Sequence, residues 1–299
     1  MLIRVKRLMA ASATMKMPEK HGAVLDRRCA SNTVIKGADS MATHAEPTTS
    51  TPAHDLRPCP TDFRTWKILA WTGPVFLFAV FVLWGFVARN MPPFPASATP
   101  DEVKAHFQEF RLPLLIALSI CVTMTAFYMS FSVAVARVME RIEGPGGLLS
   151  KLEMMGGTIT CAPVMVTLAI WLTAAHEVNN LPPEIMHMLY WMGWLLFDLA
   201  YFVTSMQIAA CSIVFMRDKR DKKLVPNAVS WWGWVTFASF FAVSAIPFVT
   251  TGPLAFNGVI SFWIAFFTWF FWIPSLSYFI IKAVDRIKAE DEAAGLVNA

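Results

Sequence analysis

Charged side chains are scarce in this chain. Asp, Glu, Lys and Arg make up 15% of its 299 residues, against about 25% in a soluble domain. Apolar residues reach 56% and mean hydropathy is +0.50, which points to lipid as the main solvent. The motifs of soluble catalysis are also missing: there is no P-loop, no HExxH and no GxSxG. No CxxC occurs, and Cys29, Cys59, Cys121, Cys161 and Cys211 have no zinc spacing. None of His21, His44, His54, His106, His176 and His187 falls mid-span, which argues against a bis-His haem. Neither paired Asp nor Ser with His stands at depth, as intramembrane proteolysis requires. The net charge of +4 sits in short loops between apolar runs and does not suggest nucleic acid. No cofactor is expected.

What the chain does have is long apolar runs. Six are placed at about 67–88, 112–136, 155–175, 187–216, 231–250 and 257–281. Each is near or above the ~20 residues that cross ~30 Å of hydrocarbon as a helix. Lipid supplies no partners for backbone groups, so each run must be helical. The fold class expected is therefore all-α, a polytopic bundle of six transmembrane helices. Lys and Arg set its orientation. Arg57, Arg64, Lys67, Arg137, Arg141, Lys151, Arg217, Lys219, Arg220, Lys222, Lys223, Lys282, Arg286 and Lys288 fall on one side, and Arg89, Lys104 and Arg111 on the other. The richer side is cytoplasmic, giving N-in and C-in in a bacterial cytoplasmic membrane.

Residues 1–62 are polar, with Thr, Pro, Ala and His crowded into 42–62, and are expected to be a disordered cytoplasmic tail. Met41 is an alternative start. Residues 286–299 are expected as a C-terminal tail. In the first outer loop, Thr99-Pro100-Asp101-Glu102 reads as an N-cap, a Pro at the first helical position and acids on the helix dipole. A short surface helix over 100–110 follows. Arg141 is expected to pair locally with Glu140 and Glu143.

Three stretches carry a resemblance. They are Pro92-Pro93-Phe94-Pro95-Ala96-Ser97-Ala98, Arg141-Ile142-Glu143-Gly144, and Thr251-Gly252-Pro253-Leu254-Ala255-Phe256-Asn257-Gly258 with Phe262-Trp263. With the span spacing they cover most of 65–285. The chain resembles a family of bacterial six-helix integral membrane proteins frequent in actinobacteria. It departs at Phe256, where the family often has Trp, and over Asn227 to Trp232, where it often has an Arg-Trp pair. The resemblance implies six helices and a plasma-membrane address, with no activity or site residue.

Asp198 reads as the one acid deep in an apolar run, about 16 Å from the outer end of the fourth span at ~1.5 Å per residue. An intramembrane charge costs at least ~2.5–3.5 kcal/mol, so Asp198 should face the bundle. On one continuous helix Tyr201, Ser205 and Ser212 share its face, with Trp191 and Trp194. One reading is a ligand-binding or proton-carrying carboxyl oriented by Tyr201 and Ser205, beside Trp194. The other is a neutral structural carboxyl bonded to a hydroxyl on a neighbouring span. Gln207 faces nearly opposite and reads as a packing hydrogen bond. His176 and His187 are weak metal candidates that would converge at the outer mouth near Glu184.

Three functions stay open: binding or transport of an apolar or amphipathic small molecule such as a lipid; a structural or accessory subunit with a membrane-protein partner; and a membrane enzyme acting on lipid. The orientation is tested by single cysteines. Asp221→Cys should react with an impermeant reagent only after the membrane is opened, and Asn179→Cys in intact cells. Labelling of Asp221→Cys from outside would reverse the topology.

Overall fold

In hydrocarbon an apolar run satisfies its backbone only by winding into a helix, and six such helices form. The structure, a computed structural model, describes residues 62–296. The expectations for the N-terminal tail, Met41 included, lie outside the described residues. The elements are α1 (Phe63–Ala79), α2 (Pro100–Glu109), α3 (Arg111–Glu143), α4 (Leu148–Glu177), α5 (Pro183–Leu199), α6 (Tyr201–Met216), α7 (Asn227–Phe240) and α8 (Ala265–Ala293). Irregular helix extends three of them: a π-helical stretch Val80–Val87 after α1, a 3-10 stretch Phe241–Phe248 after α7, and a π-helical stretch Val259–Ile264 before α8. Among the described residues six helices are long and apolar enough to cross a membrane, at Phe63–Val87, Arg111–Glu143, Leu148–Glu177, Pro183–Met216, Asn227–Phe248 and Val259–Ala293. The fourth comprises α5 and α6, which part at Ala200.

Each span packs on its chain neighbours, and the first closes on the sixth, so the six make a ring. Small residues let helices approach. At Gly73 a Cβ would lie 2.7 Å from the Phe131 ring and 2.8 Å from Ser277 Oγ, so this glycine seats the first span between the second and sixth. The ring interior is filled by aromatic side chains. Trp84 lies 5.2 Å from Phe266, 5.4 Å from Phe197 and 6.4 Å from Trp171, centroid to centroid. Trp194 stacks on Phe256 at 4.8 Å with rings 7° apart. Such pairs add about 0.5–1.5 kcal/mol beyond their area burial.

At the end of the ring that holds Asp62 and Ala293, here the basic end, ion pairs knit the helix termini. Lys67 pairs with Asp285 and Arg141 with Asp291. Arg220 reaches Asp218 at 3.0 Å and Glu290 at 3.6 Å. These partners explain why α8 runs on to Ala293 instead of ending near 281: the acids of its last turns hold Lys67 of the first span, Arg141 of the second and Arg220 of the loop after the fourth. Arg141 therefore does not pair with Glu140 or Glu143. Glu140 takes Arg137 at 2.8 Å, and Glu143 accepts the N–H groups of Leu149 and Ser150 that open α4. Burial pushes the Asp218 carboxyl up, but N–H donors from Leu224 and Arg220 and the Arg220 guanidinium outweigh it and hold it below the usual range.

At the far end α2 forms as expected. Thr99 Oγ1 accepts from Glu102 N, and Glu102 Oε2 accepts from Thr99 N at 2.8 Å, a capping box. The three basic residues of this end are all engaged. Lys104 donates to Leu181 O at 2.8 Å, Arg111 to Ala175 O at 3.2 Å, and Arg89 sits over the Phe110 ring at 5.1 Å. His106 stacks on Phe94 at 4.4 Å. Burial, then the Arg89 charge, pushes its imidazole down to about 4. An unfolded His takes its proton near 6.5, so between those values the unfolded chain binds more protons and stability falls as pH drops from 6.5 to 4. The thermal midpoint in detergent should fall across that window, and fall less in His106→Phe. Equal falls in both would assign the titration to another group.

Candidate functional site

The break at Ala200 sets the site. An unbroken helix across 187–216 would carry Asp198, Tyr201 and Ser205 on one face, but regular helix is interrupted for one residue at Ala200. Val203 N donates to Ala200 O at 3.2 Å, a tighter turn than the α-helix makes. Asp198 and Tyr201 remain together, on the wall of a cavity of about 70 Å³. Ser205 is buried elsewhere with its hydroxyl unpartnered, and does not line the cavity. Trp194 is fully buried against Phe256 and does not line it either.

The cavity draws on four spans. Thr160 comes from the third, Asp198, Tyr201 and Thr204 from the fourth, Phe240 and Val243 from the fifth, and Ser261, Phe266 and Trp269 from the sixth. Val243 lies in the 3-10 stretch and Ser261 in a π-helical one, so irregular backbone surrounds it. Irregular helix of this kind recurs at functional sites and hinges, and in membranes it is tolerated where protein or a cavity covers it. The expected hydroxyl partner for Asp198 is not there, because the nearby hydroxyls bond to one another. Tyr201 Oη lies 2.6 Å from Ser244 Oγ, and Thr160 Oγ1 lies 3.0 Å from Thr204 Oγ1. Asp198 Oδ2 is sealed from solvent with no hydrogen-bond partner among the described residues. No Lys, Arg or His comes within ion-pairing distance of it there. What this arrangement can do is accept: a carboxyl and several hydroxyls face a small space with aromatic walls.

His176 pairs with Glu177 at 2.8 Å. Among the described residues no three His, Cys, Asp or Glu side chains are grouped to hold a metal ion, so His176 and His187 do not converge into such a site.

A second buried acid departs from the sequence reading, which started the third span at 155 and so left Glu153 outside it. The helix begins at Leu148, and Glu153 is fully buried between the second, third and fourth spans. Gln207 Nε2 donates to Glu153 Oε1 and to Ser132 Oγ, each at 3.0 Å, while Tyr128 Oη donates to Gln207 Oε1 at 2.8 Å. Gln207 is thus the hub of a polar network. Gly156 and Gly157 make room for it: a Cβ at Gly156 would sit 2.9 Å from Gln207 Cβ. The legible signal was a Gly-Gly pair three residues after an acid, opposite an amide inside an apolar run.

A scan against protein-family models, a search of curated proteins and a search of solved structures return no match for this chain.

The network predicts an order of stabilities. Tyr128→Phe removes one peripheral bond and should cost about 1 kcal/mol or less. Gln207→Leu leaves three buried groups unpaired and should cost more, roughly 2–3 kcal/mol. Unfolding in mixed micelles measures both, and equal costs would show that Gln207 is not the hub.

Proposed function

We propose that this chain is a multi-pass protein of a bacterial cytoplasmic membrane, with both ends inside, that binds and transports a small amphipathic molecule at Asp198. The observation that carries the reading is Asp198 on the wall of an aromatic-lined cavity where the fourth span is interrupted, with its Oδ2 sealed and unpartnered. Membrane transporters place substrate sites at discontinuous helices near mid-depth. Phe197, Phe240, Phe266 and Trp269 offer ring faces, and Asp198, Tyr201, Thr204 and Ser261 offer polar groups. That set suits a molecule with a hydrogen-bonding or cationic head and a short apolar body. A cavity of about 70 Å³ takes a few waters or one such head, not an entire lipid. The lipid-enzyme reading rested on Asp198 or on His176 and His187, and the two histidines join no group of ligating residues among the described residues.

The test is mass spectrometry of small molecules that co-purify with the protein. Wild type should retain one species. Ala265→Phe, which fills the cavity, should lose it. Asp198→Ala should retain about tenfold less, the effect of one hydrogen bond to a charged group worth roughly 1.5 kcal/mol. Equal retention by all three proteins, or none by wild type, overturns the reading.

A further inference from the structure

Glu153 has no part in the cavity, yet it is the most completely enclosed acid among the described residues, at 0% exposure. Its Oε1 is held by Gln207, and its Oε2 is sealed and unpartnered. The groups facing it are neutral. The second span contributes Ser132 and, through Gln207, Tyr128; the fourth contributes Gln207 and the thiol of Cys211. No Lys, Arg or His of the described residues reaches ion-pairing distance. An unpaired carboxylate in such a place is far more costly than the protonated acid.

The clasp's partner also belongs to a segment that reaches the cavity. Gln207 belongs to α6, a half-helix separated from α5 at Ala200. The same half-helix supplies Tyr201 and Thr204 to the Asp198 cavity. Gly156 and Gly157 let α4 come so close to α6 that a Cβ at Gly156 would lie 2.9 Å from Gln207 Cβ, and one at Gly157 2.9 Å from Gln207 Nε2. Ionising Glu153 therefore calls for water at the carboxylate, and the seam between α4 and α6 has to part at the basic end to admit it; a rigid shift of α6 carries Tyr201 and Thr204 of the cavity wall along with Gln207.

We propose that Glu153 is a second proton-binding site, and that its proton holds α6 closed over the Asp198 cavity. Loss of the proton to the basic end opens the cavity toward that end, so the site's access is coupled to a proton. This rests on the transport reading, and it adds the coupling ion and the gate.

The experiment uses Cys211 as a native reporter, because it is buried on α6 against Met139, with its sulfur 3.8 Å from Met139 Sδ. The full-length protein in lipid nanodiscs is treated with a thiol reagent at neutral and at alkaline pH, and peptide-resolved mass spectrometry reads Cys211 alone. Alkaline pH forms more thiolate in any variant, so wild type is compared with Glu153→Gln, which keeps the bond to Gln207 and cannot ionise. Wild-type labelling at alkaline pH should exceed that of Glu153→Gln by about tenfold, as for a local opening. Equal rates overturn the proposal. Infrared difference spectra give a reading that does not depend on how well Glu153→Gln folds. Asp198→Asn, which retains Glu153 as the remaining deeply buried acid, should show a protonated-carboxyl band that is lost on raising the pH. Absence of that band, or its failure to titrate, also overturns the proposal. Neither measurement requires the co-purifying molecule. A failed cavity assay with a titrating Glu153 would thus sink the transport reading alone, and the reverse would sink the gate alone.

Discussion

Hydrocarbon offers a peptide group no hydrogen-bond partner, and the placement of regular and irregular helix here follows from that. Regular α-helix forms most of the ring wall. The π and 3-10 stretches fall at the far ends of the first, fifth and sixth spans, and the fourth span breaks at Ala200. The 3-10 stretch, the π stretch of the sixth span and the break all border the Asp198 cavity. The ring lets them deviate, since protein on the inner side covers what lipid cannot satisfy. The aromatic filling of Trp84, Trp171, Trp194, Phe197 and Phe266 then excludes water from most of the interior.

Two acids sit inside this ring in different settings. Asp198 faces space and has no partner for Oδ2; Glu153 faces side chains and is gripped by an amide. An acid beside a cavity can exchange its partner without moving the protein. An acid in a tight seam cannot, because side chains fill the space around it.

The sequence was most legible where a single physical rule decides. Apolar length gave all six spans, and Thr99 with Pro100 and Glu102 gave the capped helix α2. It was least legible where two helices decide together. Nothing within Leu199-Ala200-Tyr201 is a Pro or Gly, so the break and the displacement of Ser205 from the Asp198 face come from tertiary packing. Glu153 was hidden by a boundary. A hydropathy run stops at a charge, whereas a helix with a glutamine across from it does not. The long α8 was missed for a similar reason, because Asp285, Glu290 and Asp291 look like the start of a solvated tail until Lys67, Arg220 and Arg141 are seen beside them.

The hydrogen bonds between spans have an order that matters while the chain is being made. Trp66 and Thr72 of the first span donate to Ala134 O and Phe127 O of the second. Thr160 meets Thr204, Tyr201 meets Ser244, and Trp232 donates to Thr268 O, linking the third to the fourth, the fourth to the fifth and the fifth to the sixth. The seam between the first and sixth spans is different. Among the described residues its one polar link is Lys67 with Asp285 at the basic end, and the rest is dry packing around Gly73 and Ser277. The first span is inserted long before the sixth leaves the ribosome. The Thr72 hydroxyl and the Trp66 indole are satisfied by the second span without it, and the contact still lacking is one that acyl chains imitate well. Closure of the ring therefore requires the sixth span, whereas the bonds from the first span to the second do not depend on it.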